Sequence, residues 1–283
     1  RNKCSKTLPF NRTPVLVSLN HYWLTGNIGS RWLPAATTPN DWKKLKMTIN
    51  LTLERPLTNL DVRVVGIGGA GCSALRRLGD SLPDDTRFLG IDTGTGTDSV
   101  RNFAEFIQVG DGFGSGGDAV AAAELFVDSD GPGEYGKAVT EFVTGADVVI
   151  IVAGLGRGSG SGIAPLVAHI AHDSGALTLA AVNLPFEFEG RFRTQSAVQA
   201  LETLRKAVDT VIVTSNNDLL SPVRAAGSMS LVDAFKEADR KVSNSVSTVV
   251  SALAVSADKF GEVRRSLGQS VSGKSIVLLA SSH

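Results

Sequence analysis

The chain has 283 residues, 42% of them hydrophobic, with 28 Lys/Arg balancing 28 Asp/Glu. That is apolar material enough for a real core and length enough for one large domain or two modest ones. No apolar run is long enough to span a bilayer, and two cysteines, Cys4 and Cys72, make no disulfide framework, so a cytoplasmic location without membrane insertion is expected.

The neutral total hides an asymmetry. Residues 1–46 carry eight Lys/Arg and one acid, Asp41, a net of +7 that leaves −7 for the remainder. All three tryptophans, Trp23, Trp32 and Trp42, fall in the same stretch, which has no clean helical or strand period. A basic arm for nucleic acid or membrane, a targeting peptide, and upstream sequence read in frame before Met47 compete as explanations. The last is the expectation: a poorly structured segment outside the native protein, with no nucleic-acid partner.

From Met47 onward, strand and helix patterns alternate, which indicates an α/β class. Near-continuous apolar runs predict strands at Val62–Ile67, Arg87–Asp92, Asp147–Ala153, Leu177–Leu184 and Thr210–Thr214, as in a parallel sheet covered on both faces. Between them, helices are predicted from Ser73–Gly79, over Ala119–Phe126, over Ile163–Asp173 with Gly175 closing it, and over Gly190–Val208. A long helix spans Leu231–Leu253, with Leu231, Ala234, Phe235, Ala238 and Val242 on one face. A short helix near Glu262–Leu267 and a last strand, Ile276–Ala280, follow; that strand has no obvious partner, so only the start of a second domain is expected. The expected organisation is 1–46 as the basic segment, 47–230 as a nucleotide-binding domain, 231–255 as a central helix and 256–283 as a truncated second domain.

The most informative stretch is Gly154-Leu155-Gly156-Arg157-Gly158-Ser159-Gly160-Ser161-Gly162, five glycines in nine positions between a strand and a Pro-started helix. Glycine loses more backbone entropy on folding than any other residue. Such a run needs a reason, and an anion cradle backed by a helix N-terminus supplies one better than a flexible linker does. A second loop, Gly66-Ile67-Gly68-Gly69-Ala70-Gly71, satisfies G-x-G-x-x-G between strand and helix, with Asp92 ending the next strand. Alone, it reads as a Rossmann site for NAD and an NAD-dependent enzyme. A third loop, Gly112-Phe113-Gly114-Ser115-Gly116-Gly117, and the run at 154–162 exceed what that reading needs; three such loops suit a ligand with several phosphates. Gly268–Ser275 matches G-x-x-x-x-G-K-S, but helix precedes it and strand follows it, the reverse of a working P-loop. His169 and His172 lie three apart on one helix without an acid or cysteine pattern, and no serine sits in a G-x-S-x-G elbow, so a metal site and covalent hydrolysis lack support.

Taken in order, these loops resemble the tubulin/FtsZ superfamily, specifically the bacterial cell-division GTPase FtsZ, from about Val62 to the end of the chain. Gly66–Ala74 is similar to the family's first phosphate loop, with Ser73 in place of an asparagine. Gly156–Gly162 is similar to its G-G-G-T-G-T-G signature, with Ser159 and Ser161 for the threonines and Arg157 for the middle glycine. The resemblance implies a Rossmann-like GTPase domain that binds GTP or GDP through Gly68, Gly69, Ala70, Gly71, Gly156, Arg157, Gly158, Ser159, Gly160, Ser161 and Gly162, with Mg2+ carried on the nucleotide. Pro185-Phe186-Glu187-Phe188-Glu189-Gly190-Arg191-Phe192-Arg193 is similar to P-F-x-x-E-G-x-x-R, which implies Glu189 at the ribose and Arg193 near the phosphates. Asn216 falls at a sugar- and base-contacting position. Ala234–Asp239 resembles the guanine-reading segment, which implies that Phe235 stacks on the base and that Asp239 accepts from the guanine N1–H and N2–H2 edge.

Where the family has N-x-D-x-x-D, this chain reads Ala257-Asp258-Lys259-Phe260-Gly261-Glu262. Lys259 takes the place of the first catalytic acid and Glu262 that of the second, with Asp258 a one-residue register shift away. A cation cannot polarise water as a base does, so hydrolysis is expected to be slow. The resemblance implies GTP-dependent head-to-tail self-association into filaments in cell division. The alternatives are a degenerate, non-hydrolysing relative that binds or regulates a filament, and the NAD enzyme.

Overall fold

In the computed structural model, the described residues are 60–96, 100–127, 133–219 and 230–255, together with strands at 16–19, 22–25 and 276–280. The chain divides into two units, Arg1–Thr52 and Leu53–His283. In the first, β1 (Leu16–Leu19) pairs antiparallel with β2 (Tyr22–Thr25) in the register Leu19↔Tyr22. Regular structure was not expected there; the two short runs are rich in the aliphatic and aromatic residues that favour a pleated surface.

The second unit is built on a seven-stranded sheet in which every pairing is parallel. Its strands are β3 (Val62–Ile67), β4 (Arg87–Asp92), β5 (Glu105–Gln108), β6 (Val148–Gly154), β7 (Leu177–Leu184), β8 (Thr210–Ser215) and β9 (Ile276–Ala280). The spatial order is β5-β4-β3-β6-β7-β8-β9. The chain therefore winds one way from β3 to β5 and the other way from β6 onward. This leaves a crevice at the carboxyl ends of β3 and β6, where parallel α/β sheets bind ligands.

Among the described residues, six helices cover the sheet: α1 (Gly68–Gly79), α2 (Ala119–Phe126), α3 (Gly133–Val143), α4 (Gly158–Asp173), α5 (Arg191–Ala207) and α6 (Leu231–Val255). One core joins Val65, Ile67, Ile151 and Val182 of the sheet to α2 to α5. Helices α1 and α6 pack on each other and on the opposite face, burying Leu75, Leu78, Val242 and Val246. Both faces of the sheet are covered, as the continuous apolar strands required.

Three expectations change. Strand β9 pairs with β8, Thr210 opposite Ile276, so the last strand extends this sheet and does have a partner. Helix α4 starts at Gly158, five residues before the expected Ile163, and Pro165 lies inside it. Strand β5 and helix α3 were not expected at all. The buried Arg63 of β3 secures α3 from below: it pairs with Asp61 and donates to the carbonyls of Phe142 and, at 3.0 Å, Thr144. These are helix-end carbonyls that otherwise lack partners.

Candidate functional site

Helices α1 and α4 both begin directly above the sheet, and neither has a side-chain cap; the N-cap residues are Ile67 and Arg157. The neighbouring α2 is capped in the ordinary way, with Asp118 accepting from the amides of Val120 and Ala121. The two uncapped ends converge: a Cβ added to Gly68 would lie 3.2 Å from the Gly160 nitrogen. First-turn amides and two helix dipoles thus point at one place, which is the physical requirement for holding phosphate.

The glycine run divides its labour. Gly156 has φ +102°, a conformation that side chains rarely adopt, and a Cβ there would meet the Arg193 carbonyl at 2.9 Å. Its amide donates to Ser161 Oγ at 2.8 Å, so the turn is tied to the helix it precedes and does not act as a linker. Gly160 lies against the Gly154 carbonyl, Gly162 against that of Ala119, and Gly71 against that of Val152, with no room for a methyl group. These glycines let α4 and α1 sit down on the sheet and on α2. Pro165, the eighth residue of α4, costs the helix the one hydrogen bond its amide would give the Ser161 carbonyl.

Between the helix ends and α6 lies a cleft of about 600 Å³, within the usual size of a small-molecule site. Gly68, Gly69, Ala70, Gly158, Ser159 and Gly160 line one end, with the Gly114–Gly117 loop beside them. Phe235, Ala238 and Asp239 of α6 line the other end. Phe235 meets Phe186 edge to face at 5.4 Å, which fixes its ring. Asp239 Oδ2 accepts a 2.8 Å hydrogen bond from Ser73 Oγ. Burial holds the Asp239 carboxyl above its ordinary range, partly offset by Ser73 and by the positive charge of Arg77.

Asn183 and Asn216, 7% and 5% exposed, line the cleft, and their side-chain oxygens are buried without a hydrogen-bond partner. Buried acceptors of this kind are costly unless a donor arrives, about 1–3 kcal/mol each. They call for a ligand with hydroxyl or amino groups. Glu189 also lines the cleft, 8% exposed at its side chain; it accepts from the Phe186 amide at 3.0 Å and from Arg193. Arg157 faces the same carboxylate at 3.7 Å. Arg193 is spent on Glu189 and does not line the cleft, nor do Gly71, Gly156, Ser161 and Gly162, whose contacts are structural. Asp258, Lys259 and Glu262, and the Gly268–Ser275 segment, lie outside the described residues.

Asp92, the acid of the NAD fingerprint, accepts from Ser159 Oγ and from the Thr93 amide, both at 2.8 Å. It thereby fastens the start of α4 to the end of β4. Sequence reasoning did not find Asn183, because it sits at the end of an apolar strand with no motif around it. The Ser73–Asp239 pair, 166 residues apart, left no local signal either.

Uncapped glycine-rich helix ends at one side of a preformed cleft and a half-buried carboxylate at the other are set on an α/β domain. Residues 133–223 match the family model "Tubulin/FtsZ family, GTPase domain". The structure is similar to an empty FtsZ dimer from M. jannaschii, with 31% identity and a TM-score of 0.60, over 75% of this chain and 59% of that one. It shares its fold with CetZ2 from Haloferax volcanii in a GTPγS-bound protofilament, at 24% identity and a TM-score of 0.57, over 69% of this chain and 59% of that one. The same holds for CetZ from Methanosaeta thermophila, with 20% identity, a TM-score of 0.57, and 69% and 54% covered. The chain spans less than two thirds of the length of these structures. It belongs to the tubulin/FtsZ superfamily and carries that superfamily's GTPase-domain fold. Among the described residues, no helix is long and apolar enough to cross a membrane.

Proposed function

We propose that the cleft binds GTP and GDP, and that the chain acts as an FtsZ-like, GTP-dependent, self-associating cytoskeletal protein of the cytoplasm. The observation that carries the reading is the pairing of two uncapped helix ends with Asp239 across one cleft. An ionised carboxylate at Asp239 accepts from the N1–H and N2–H2 edge of guanine, a donor pair that adenine lacks. Phe235 stacks on the base, while Asn183, Asn216 and Glu189 accept from the sugar and base. The phosphates take the α1 and α4 amides. Mg2+ enters on the nucleotide phosphates, its usual mode of binding.

Lys259, where a water-positioning acid is expected, supports slow hydrolysis. It keeps open a second reading, a non-hydrolysing relative that binds a filament and keeps its nucleotide as a structural ligand. The deciding experiment is displacement of fluorescent GDP by unlabelled GTP or ATP, followed by pelleting and GTP turnover at rising protein concentration. Preferential displacement by GTP is expected; equal displacement by ATP sinks the guanine assignment. Turnover that climbs with pelleting favours the polymer, and binding without either favours the non-hydrolysing relative.

A further inference from the structure

Around the cleft, charge is out of balance with the proposed ligand. Its lining holds three carboxylates, Asp92, Glu189 and Asp239, and among the described residues a single cationic side chain, Arg157. The helix ends offer partial positive charge to the phosphates nearest them. A nucleoside triphosphate brings one further charged phosphate than a diphosphate, and neutralising it falls to Arg157 or to a free cation.

Arg157 is built to move. Its backbone, φ −124° and ψ −173°, is ordinary extended chain at the N-cap of α4, so its Cα is fixed at the rim of the amide cradle. Its side chain is 62% exposed and reaches Glu189 at 3.7 Å, an ion pair too long for a good hydrogen bond. Glu189 does not depend on it, being already satisfied by Arg193 and the Phe186 amide. A half-exposed pair of this length is worth little, whereas a guanidinium donating to phosphate is a strong, charge-assisted contact. The buried, unpartnered oxygens of Asn183 and Asn216 in the same cleft point independently to a ligand there.

We propose that Arg157 is this chain's triphosphate-sensing residue: its guanidinium leaves Glu189 for the terminal phosphate of a bound nucleoside triphosphate, so that this chain distinguishes tri- from diphosphate with its own side chain. The proposal rests on the guanine-nucleotide reading of the cleft. It predicts an effect confined to the terminal phosphate. The affinities of GMP, GDP and the non-hydrolysable β,γ-methylene analogue of GTP are to be measured for the wild-type chain, Arg157→Gln and Arg157→Lys, by competition with fluorescent GDP in EDTA at constant ionic strength. In Arg157→Gln, the preference for the triphosphate analogue over GDP should fall by about tenfold, the scale of one charge-assisted contact, with GMP affinity held to within about twofold; Arg157→Lys should retain part of the preference. A preference that Arg157→Gln leaves unchanged, or a loss of affinity equal for GMP and the triphosphate, overturns the assignment of Arg157 while leaving the cleft's guanine reading intact. Failure of the wild-type chain to bind any of the three overturns both.

Discussion

The Ser73 hydroxyl of α1 donates a 2.8 Å hydrogen bond to the Asp239 carboxylate of α6, joining two helices that both line the cleft. The bond does two things to the acid. It orients one carboxylate oxygen, and it favours the ionised form that burial opposes. Without a ligand, the Asp239 carboxyl stands above its ordinary range, with burial the larger influence and the Ser73 bond the leading counterweight.

Ser73→Ala should therefore move the pH dependence of guanine-nucleotide binding. Only the carboxylate accepts from the guanine edge, so affinity falls as pH drops through the Asp239 value. Removing the Ser73 bond raises that value further, and the acid limb of GDP binding should shift to higher pH while affinity at pH 8 changes little. Titrations of GDP affinity between about pH 4 and pH 8, spanning the carboxylate range and above, give the answer. An unmoved limb means that Ser73 does not set the ionisation of Asp239.

Asp239→Asn separates recognition from stability. The amide keeps one acceptor but turns a donor toward guanine's own donors, and a site that leaves such groups mismatched loses on the order of 2 kcal/mol or more. The preference for GDP over ADP should fall by at least about tenfold, which is 1.4 kcal/mol. Stability should move the other way. A carboxyl held above its unfolded value is a liability once it ionises, so its contribution falls as pH rises through the raised value. At neutral pH, the ligand-free Asn variant should melt no lower than wild type, and a lower melting temperature would count against the burial cost assigned to Asp239.

Most of this fold was legible in the sequence, for a physical reason visible strand by strand. β3, β6, β7, β8 and the inner part of β4 are mostly buried, and a strand covered on both faces is apolar along most of its length, with exceptions such as Arg63 and Asp92 that have hydrogen-bond partners. β5, Glu105–Gln108, lies at the sheet edge with partly exposed residues, so its sequence carries only a weak alternation. α3 shows helical spacing in Tyr135, Val139 and Phe142, but it opens among glycines that read as a turn. The true start of α4 was obscured in the same way, because Gly158, Gly160 and Gly162 depress helix propensity and are tolerated only through their close packing. In the site, motifs marked the residues near the loops, whereas Asn183 and the Ser73–Asp239 pair depend on contacts between elements distant in sequence.

Two alanine substitutions distinguish packing glycines from ligand-facing ones. Gly160→Ala places a methyl group on the Gly154 carbonyl and should destabilise the fold by about 1–3 kcal/mol, or more if the strand cannot yield. Gly69→Ala meets nothing within 4 Å, is exposed, and sits in the first turn of α1. It should raise stability slightly, by up to about 1 kcal/mol, yet weaken GDP binding, because the methyl group occupies the space where phosphate approaches. Urea unfolding and GDP titration on the same samples measure both; a Gly69→Ala chain that binds GDP as tightly as wild type moves the phosphates away from α1.

Arg63→Ala tests the support beneath α3. Arg63 is 7% exposed, and its guanidinium pairs with Asp61 and donates to the Phe142 and Thr144 carbonyls. Removing it strands two helix-end carbonyls, and a loss of about 2–4 kcal/mol in urea unfolding is expected. Asp61 is held below the usual carboxylate range, first by its hydrogen bond to Arg63. A depressed carboxyl contributes stability above its unfolded value that is lost as pH falls through its folded one. The variant should accordingly lose part of the stability difference between neutral and acidic pH, and an unchanged pH slope would mean that the pair contributes little.

The thiol of Cys72 offers a probe of opening that leaves the site untouched. It is fully buried at the start of α1, its sulfur 3.5 Å from the Gly66 carbonyl, and burial, helped by the nearby Asp92 charge, pushes it up to about 12. Thiolate is the reacting species, so at pH 8 alkylation of Cys72 should proceed only through opening of the domain. Peptide mass spectrometry distinguishes Cys72 from Cys4, the other cysteine of the chain. Since a ligand that binds only the closed state lowers the open population by the factor 1 + [L]/Kd, GDP should slow Cys72 labelling by about one hundredfold when present at one hundred times its dissociation constant. Labelling that is rapid in the native chain, or indifferent to GDP, would show that the α1 N-terminus opens independently of the cleft.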